Sequence, residues 1–410
     1  MMNHHRRFKS LFRSQVMAQH LVRRGHDVTL VVISDNKRFG IKKSKWEGVE
    51  IVETPDLLWG RLRSGWDVWN TLVRMNYVGK LKEDFDVMHI FETRPATIFP
   101  TLHYLKKRKI PLFIDWIDWW GGKGGLIDVA RPKWYKYTLG SVESYFEEKY
   151  RHLADGTTVI STALGKRAEG LGIARESVLL LQGGVDADHF RSIDTSEARK
   201  RVGLDRDIKL LGFSSFDSYL DFKLLMEALL LVKKQMHEVK MLVTGKVTDS
   251  IKNIISSYGL ENEVILTGFL PFDDLPIYLC CSDILLLPFP ETLYNIGRWP
   301  NKIGDYMVVG RPVVTNPTGD LKTVFSDEKL GMTCDYTPED FAEKILFLFR
   351  DEKKRNELGQ NARQWAIKNL SWDKNILKLE EFYFKTLDEY SGVRIQNSGE
   401  KDYRGRSAAL

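Results

Sequence analysis

IKLLGFSSFDSYLDFKLLMEALLLVKKQMHEVKMLVTG (208–245) holds two short apolar runs, IKLLGFS (208–214) and VKMLVTG (239–245), around a longer stretch at 221–236. The short runs read as buried strands and the longer stretch as a helix. A strand, a helix and a second strand form a crossover that lays the two strands parallel under helical cover. Downstream the alternation continues with a helix at 247–258 and strands EVILTGFL (263–270), DILLLPF (283–289) and RPVVTN (311–316). Helices at 337–349, 351–369 and 371–389 follow, and the polar tail from Ser391 is expected to be disordered. Upstream, DVTLVVIS (27–34), VEIVE (49–53), DVMHIF (86–91), PLFID (111–115), TTVIS (157–161) and SVLLLQ (177–182) read as strands. Helices near 66–83, 96–108, 134–153 and 162–171 separate them. The fold class is therefore α/β, with two Rossmann-like, doubly wound domains in series. One element is out of place. Such a domain opens with a strand, yet the first convincing element here is a helix from Leu11 to Arg24, closed by Gly25. Either the first strand is missing from the chain or the sheet is built without it.

The 410 residues suit two or three domains, and 43% hydrophobic with 28% charged types excludes collagen-like, coiled-coil or mostly disordered chains. No apolar run approaches the roughly 20 residues of a membrane span, and MMNHHRRFKS has no apolar region of a signal peptide behind it. Cys280, Cys281 and Cys334 fit neither a disulfide framework nor a metal spacing. A reducing, cytoplasmic setting with no metal and no cofactor is the expectation. The net charge of +6 divides unevenly: residues 1–185 carry 30 Lys+Arg against 20 Asp+Glu, and the remainder 31 against 35. Eight of the eleven tryptophans also lie in the basic part, so two domains with different partners are implied.

RWPNKIGDYMVVGRPVVTNPTGD (298–320) carries the densest chemistry. Pro300 suits a helix start and Gly310 its end. Arg298 and Lys302 then stand at the helix N-terminus, where the dipole favours anions instead. Two cations beside free N–H groups are explained by a bound phosphate or pyrophosphate. Asp305 lies one turn deeper on the same face and is placed to accept hydrogen bonds from sugar hydroxyls. The plainer alternative is a solvated Lys–Asp pair on a surface helix.

With these, GHDVTL (25–30), VISTALGKRAEGLGI (159–173), GGVDADHF (183–190), LLMEALLLV (224–232), VILTGFL (264–270), SDILLLPF (282–289), PNKIGDYMVVGRPVV (300–314) and Ser371-Trp372 occur in an order that resembles the family-four retaining glycosyltransferases of the GT-B fold. The resemblance spans roughly residues 15–390. It implies an acceptor domain (1–188) and a nucleotide-sugar domain (189–370) facing each other across a cleft, with a last helix (371–390) crossing back and a tail (391–410). The sequence departs from the family pattern at Gly297, where the first carboxylate of a Glu-x7-Glu pair is usual, and at Ser215 and Leu220, where Arg and Lys grip the diphosphate. It departs again at Ile117, in place of a His near the reacting sugar, and at Gly183, in place of an Asn. The family's glycine-rich loop before residue 10 is absent or truncated.

In the catalytic reading, Arg298, Lys302 and the amides of Asn301 to Ile303 stabilise charge on the leaving diphosphate, and Ser214 and Ser215 donate to it. Asp305 binds sugar or ribose hydroxyls. Gly245 and Lys246 stand at the sheet edge where ligands bind; Gly268 and Phe269 resemble the loop against the nucleotide base, and Thr318, Gly319 and Asp320 close the pocket. Asp118 is an acceptor-side acid or, equally, a capped strand end. Trp116, Trp119 and Trp120, beside a glycine loop expected to be mobile, stack on acceptor sugars or meet lipid, or else form a core cluster. Arg6, Arg7, Lys9, Arg13, Arg23 and Arg24, interleaved with Phe8, Leu11, Phe12 and Met17, suit an anionic membrane surface, or a core helix with a charged start. Nucleic acid is excluded as a partner, since the basic residues are spread over the domain. The leading function is transfer of a sugar from a nucleoside diphosphate sugar to a glycan or lipid-linked acceptor with retention. The alternatives are a non-catalytic relative acting in assembly or sugar binding, and a nucleotide-sugar epimerase.

Overall fold

The computed structural model describes residues 1–6, 12–35, 39–57, 64–215, 219–327 and 329–396. The chain divides into two compact units, Met1–Gln182 with Trp372–Leu410, and Gly183–Ser371.

The first unit is built on β1 (Met2–Arg6), β2 (Thr29–Ile33), β3 (Lys42–Trp46), β4 (Val49–Thr54), β5 (Met88–Phe91), β6 (Leu112–Trp116), β7 (Gly156–Val159) and β8 (Val178–Leu180). They form one sheet in the order β3-β4-β2-β1-β5-β6-β7-β8, parallel except for β3. The expectation of a first strand that is missing, or left out of the sheet, is thus corrected: β1 exists and sits at the centre, paired with β2 and β5. MNHHR lacks the apolar run that marks a buried strand because Asn3 and His4 are polar residues held by partners inside the protein. Asn3 Nδ2 donates to Ser14 Oγ at 2.7 Å, Phe91 O lies 3.1 Å from His4 Nδ1, and the buried Arg74 donates to Asn3 O at 2.9 Å. β3 also escapes an apolar reading, since its lysines face solvent on the edge, where charge discourages further pairing.

The last helix, Trp372–Gln396, runs past Ser391, and the rest of the tail lies outside the described residues. It belongs to the first unit: Trp372, Ile376, Leu379, Phe382 and Tyr383 are buried with Met17, Leu21, Phe91, Phe113 and Leu181. Full burial of such side chains stabilises by about 1.5–3 kcal/mol each.

The second unit holds β9 (Lys209–Ser215), β10 (Val239–Gly245), β11 (Val264–Gly268), β12 (Ile284–Leu287), β13 (Val313–Thr315) and β14 (Gly331–Thr333). The order β11-β10-β9-β12-β13-β14 is all parallel and, counted from β9, reads 3-2-1-4-5-6. This is the dinucleotide-fold order, with the switch point between β9 and β12. Helix Tyr219–Lys233 supplies Phe222, Leu225 and Leu229 to the core against Leu211, Phe213 and Val243.

Candidate functional site

In the second unit the parallel strands end along one edge at Ser215, Gly245, Gly268, Leu287 and Thr315. The helix Asn301–Val308 starts after β12, with Pro300 at its N-cap and no side-chain cap. Lys302 reaches from its first turn to the end of β9. Its Nζ donates to Ser214 O at 2.5 Å and lies 5.5 Å from the Phe213 ring centroid. Burial draws its pKa down to about 8, against the opposing pull of Asp221 and Asp305. One turn on, the Tyr306 hydroxyl accepts the Ser214 N–H at 2.8 Å, and burial pushes its pKa up to about 12. The helix is therefore stapled to both sides of the Ser214 residue.

Asp305 lies between these two. Burial pushes its pKa up to about 7, which Lys302 only partly offsets. Its carboxylate has no hydrogen bond or ion pair among the described residues, so the solvated Lys–Asp pair is not what forms. An ammonium with three donors has given one to Ser214, and a carboxylate with several acceptor sites has spent none. Such a pair can bind phosphate oxygens and hydroxyls side by side. Arg298, half-buried, stacks its guanidinium 5.0 Å from the Tyr294 ring centroid.

The other candidates on this edge differ in what they leave available. Ser214 Oγ is 2.9 Å from Thr244 Oγ1, and Ser215 pairs with Gly245 at the strand ends. Lys246, Asn301 and Phe269 are exposed, Phe269 to 85% beside Gly268. Two expectations need correction. The Ile303 N–H is not free for a ligand, because it donates to Pro300 O at 2.9 Å. The Thr318 hydroxyl is buried and donates to Phe289 O at 2.6 Å, so it anchors its loop. Next to it Gly319 has φ 56° and ψ −133°, and a Cβ there would stand 3.1 Å from Ile296 O. Asp320 opens the short helix Asp320–Val324. Gly183, which replaces the family's Asn, also has a steric reason: a Cβ would meet Asn301 Oδ1 at 2.4 Å. At the other departures, Gly297 ends the short helix Leu293–Ile296 and Leu220 is 69% exposed.

The corresponding edge of the first unit is closed by its own side chains. Trp116 is fully buried, which corrects its assignment as an acceptor-stacking ring. It is packed against the guanidinium groups of Arg151 at 3.9 Å and Arg167 at 4.9 Å. Its indole N–H donates to Glu147 at 2.9 Å and to Asp118 O at 3.0 Å. Arg167 also covers Trp119 at 4.5 Å, and Arg94 covers Trp120 at 5.3 Å. The loop start expected to be mobile is pinned, since Trp120 N–H and Gly121 N–H both donate to Glu147. Sequence reasoning passed over Glu92, which follows β5 with φ 65° in the left-handed region that favours glycine. Its buried carboxylate pairs with Arg151 at 3.1 Å, and burial raises its pKa to about 7 although Arg151 opposes this. A cavity of about 20 Å³ between Trp66, Glu92, Arg94 and Trp120 holds at most one or two waters.

Part of the basic start is engaged within the unit, while Arg23 is exposed. Met17 is buried, Arg13 makes two bonds to Asp115 at 2.9 and 3.0 Å, and Arg24 pairs with Glu380 at 2.5 Å. Arg7, Phe8, Lys9 and Leu11 lie outside the described residues. No group of three or more His, Cys, Asp or Glu among the described residues is arranged to hold a metal ion, and no helix among them is long and apolar enough to cross a membrane.

Two Rossmann-like α/β units with parallel sheets define the GT-B class of glycosyltransferase folds. The sucrose-phosphate synthase of Thermosynechococcus elongatus has this fold with a TM-score of 0.74, at 14% identity over 93% of this chain and 94% of that one. Anabaena HepE, solved in complex with UDP, gives 0.67 at 16% identity over 94% and 98%. Residues 194–365 match the family described as "Glycosyl transferases group 1", and residues 13–184 the "Glycosyl transferase 4-like domain". The chain carries both glycosyltransferase domains, which together cover well over half of its length. Among curated relatives, the GDP-mannose-dependent alpha-(1-6)-phosphatidylinositol monomannoside mannosyltransferase of Mycobacterium tuberculosis is 23% identical over 245 residues. That match covers 57% of this chain and 63% of the relative, less than two thirds of its length.

Proposed function

We propose that this protein transfers a hexosyl group, with retention, from a nucleoside diphosphate sugar to a glycan or lipid-linked acceptor. The observation that carries the reading is the Lys302–Asp305 pair at the end of β9: a cation with donors left over beside an unbonded carboxylate. When the glycosidic bond breaks, negative charge grows on the departing diphosphate. Lys302 and Arg298 stabilise it there, together with the first amides of the helix. Asp305 accepts hydrogen bonds from sugar or ribose hydroxyls and fixes the orientation of the donor. With a pKa of about 7, its carboxyl is partly ionised at neutral pH, and a cationic or hydroxyl-rich environment favours the ionised form. Gly245, Lys246, Gly268, Phe269 and Asp320 form the rim toward the nucleotide. The names of the relatives, one GDP-mannose-dependent and one solved with UDP, support a nucleotide-sugar donor. The phosphatidylinositol monomannoside in the mycobacterial name supports a lipid-linked acceptor.

The test is a product analysis by NMR after incubation with UDP-, GDP-, ADP- and dTDP-hexoses and a mixed lipid-linked and free glycan acceptor pool. The expected product keeps the donor's anomeric configuration. An inverted product contradicts retention, an epimerised donor without acceptor identifies an epimerase, and donors left intact point to a non-catalytic relative.

A further inference from the structure

Arg13 and Met17 of the first helix face the core of their own unit, and another part of the same unit has the exposure and composition for a lipid surface. Three helices follow one another at Leu126–Ala130, Lys133–Tyr137 and Leu139–Lys149. Val129, Trp134, Tyr137, Leu139, Val142 and Tyr145 point outward from them, with Trp134 65% and Tyr137 81% exposed. Single exposed apolar residues are ordinary, but a run of six large ones along one segment is a patch that something covers.

The charges around the patch are sorted by sign. Lys123, Arg131, Lys133 and Lys149 are exposed and have no ion pair among the described residues. The acids of the same segment are turned away or neutralised. Glu143 is buried and accepts the Tyr135 hydroxyl at 2.5 Å, and Glu147 is buried under the N–H groups of Trp116, Trp120 and Gly121. Asp128 pairs with Lys136 at 3.1 Å, and Glu148 with Arg167 at 2.7 Å. The field presented outward is therefore positive. Lys149 Nζ lies 4.8 Å from the Tyr145 ring centroid and the Arg131 guanidinium 5.4 Å from that of Tyr135, so both stems run along aromatic faces. Trp and Tyr with an apolar body and a polar tip, flanked by long cationic side chains, match the boundary between headgroups and acyl chains.

We propose that residues 126–149 form a surface that docks the protein onto an anionic lipid bilayer, the three short helices lying in the plane of the interface. Charge complementarity selects this occupant: the cations meet anionic headgroups while Trp134, Tyr137 and Leu139 enter the acyl boundary. The surface is independent of the donor reading, since none of these side chains belongs to the second unit.

The experiment is co-flotation of the full chain with vesicles of phosphatidylcholine alone and of phosphatidylcholine with an equal part of phosphatidylglycerol, at low and high salt. Binding to the anionic vesicles is expected, about tenfold or more weaker on neutral ones and reduced by salt. The pair Trp134→Ser with Tyr137→Ser, and separately Lys133→Glu with Lys149→Glu, each lower anionic binding by about tenfold or more. Thermal midpoint and nucleoside diphosphate affinity, both measured without vesicles, stay at parent values in the two variants, which separates this result from any failure of the donor reading. Equal binding to neutral vesicles, absence of binding, or variants that bind like the parent overturns the proposal. So does a Trp134→Ser/Tyr137→Ser chain that changes only its oligomeric state on gel filtration, which would mark a protein interface.

Discussion

The two sheets end in edges of the same kind but opposite condition. In the first unit the charged groups are consumed by one another: Glu92 by Arg151, Asp115 by Arg13, Glu147 by Arg167 and three further N–H groups. In the second unit Lys302 holds a single carbonyl and Asp305 holds nothing among the described residues. A closed network rigidifies a scaffold, whereas unspent donors and acceptors at a strand edge are what a ligand completes. The difference teaches that charge density alone does not mark the binding half; at its strand edge the half with more cations has Arg13, Arg151 and Arg167 all paired.

The largest expected effect comes from breaking the closed edge. Arg151→Met leaves the Glu92 carboxylate buried without its partner and costs about 3–5 kcal/mol at pH 8, read by urea unfolding. Glu92 already has its folded pKa raised to about 7, above the ordinary 4.5. The stability it withholds is therefore absent below the unfolded value and appears as pH rises toward and past the folded one. The Arg151→Met deficit shrinks at pH 4, and nucleoside diphosphate affinity does not follow it. A deficit independent of pH would mean that packing against Trp116, not charge, sets the role of Arg151.

At the open edge, Asp305→Asn lowers the transfer rate by about 10–100-fold, the scale of a hydrogen bond to a charged group. Affinity for the nucleoside diphosphate without its sugar falls less, because the amide still neighbours Lys302. Equal losses for both ligands would move Asp305 from the sugar to the ribose hydroxyls. Next in size is a pH effect. With the Lys302 pKa drawn down to about 8, diphosphate affinity holds below that value and declines by about tenfold per unit above it until the bound-state pKa is reached. Calorimetry at pH 7 and pH 9 reads this; a flat profile would assign the phosphate to Arg298 instead. The smallest effect belongs to Gly183→Ala, whose Cβ meets the far end of the exposed Asn301 side chain and costs about 1 kcal/mol, the low end for overpacking. Adding Asn301→Ala restores most of that stability.

The alternation of strands and helices was legible because both sheets are buried on two faces and their strands read as apolar runs. β1 was not, since Asn3 and His4 are buried polar residues whose partners, Ser14 and Phe91 O, come from tertiary contacts. β14 was missed because a strand of three residues carries no period. Lys302 and Asp305 stood out through a local conflict, cations at a helix start, and such conflicts survive in sequence. Tyr306 lies four residues after Lys302 on the same face, a spacing that offered a signal not taken up. Trp116 stays ambiguous in sequence between acceptor stacking and core, because indole rings look alike there whether they face solvent or lie between two guanidinium groups. Glu92 had no local signal at all; its left-handed backbone is imposed by the fold around it.

The central claim, that the open edge of the second unit holds a nucleoside diphosphate through Lys302, is tested most directly by one calorimetric titration. UDP and GDP are titrated at pH 7 into the parent chain and into Lys302→Ala. Binding of at least one nucleotide to the parent, with an affinity about 10–100-fold weaker in the variant, is the predicted result. A variant that binds as tightly as the parent, or a parent that binds neither, contradicts it.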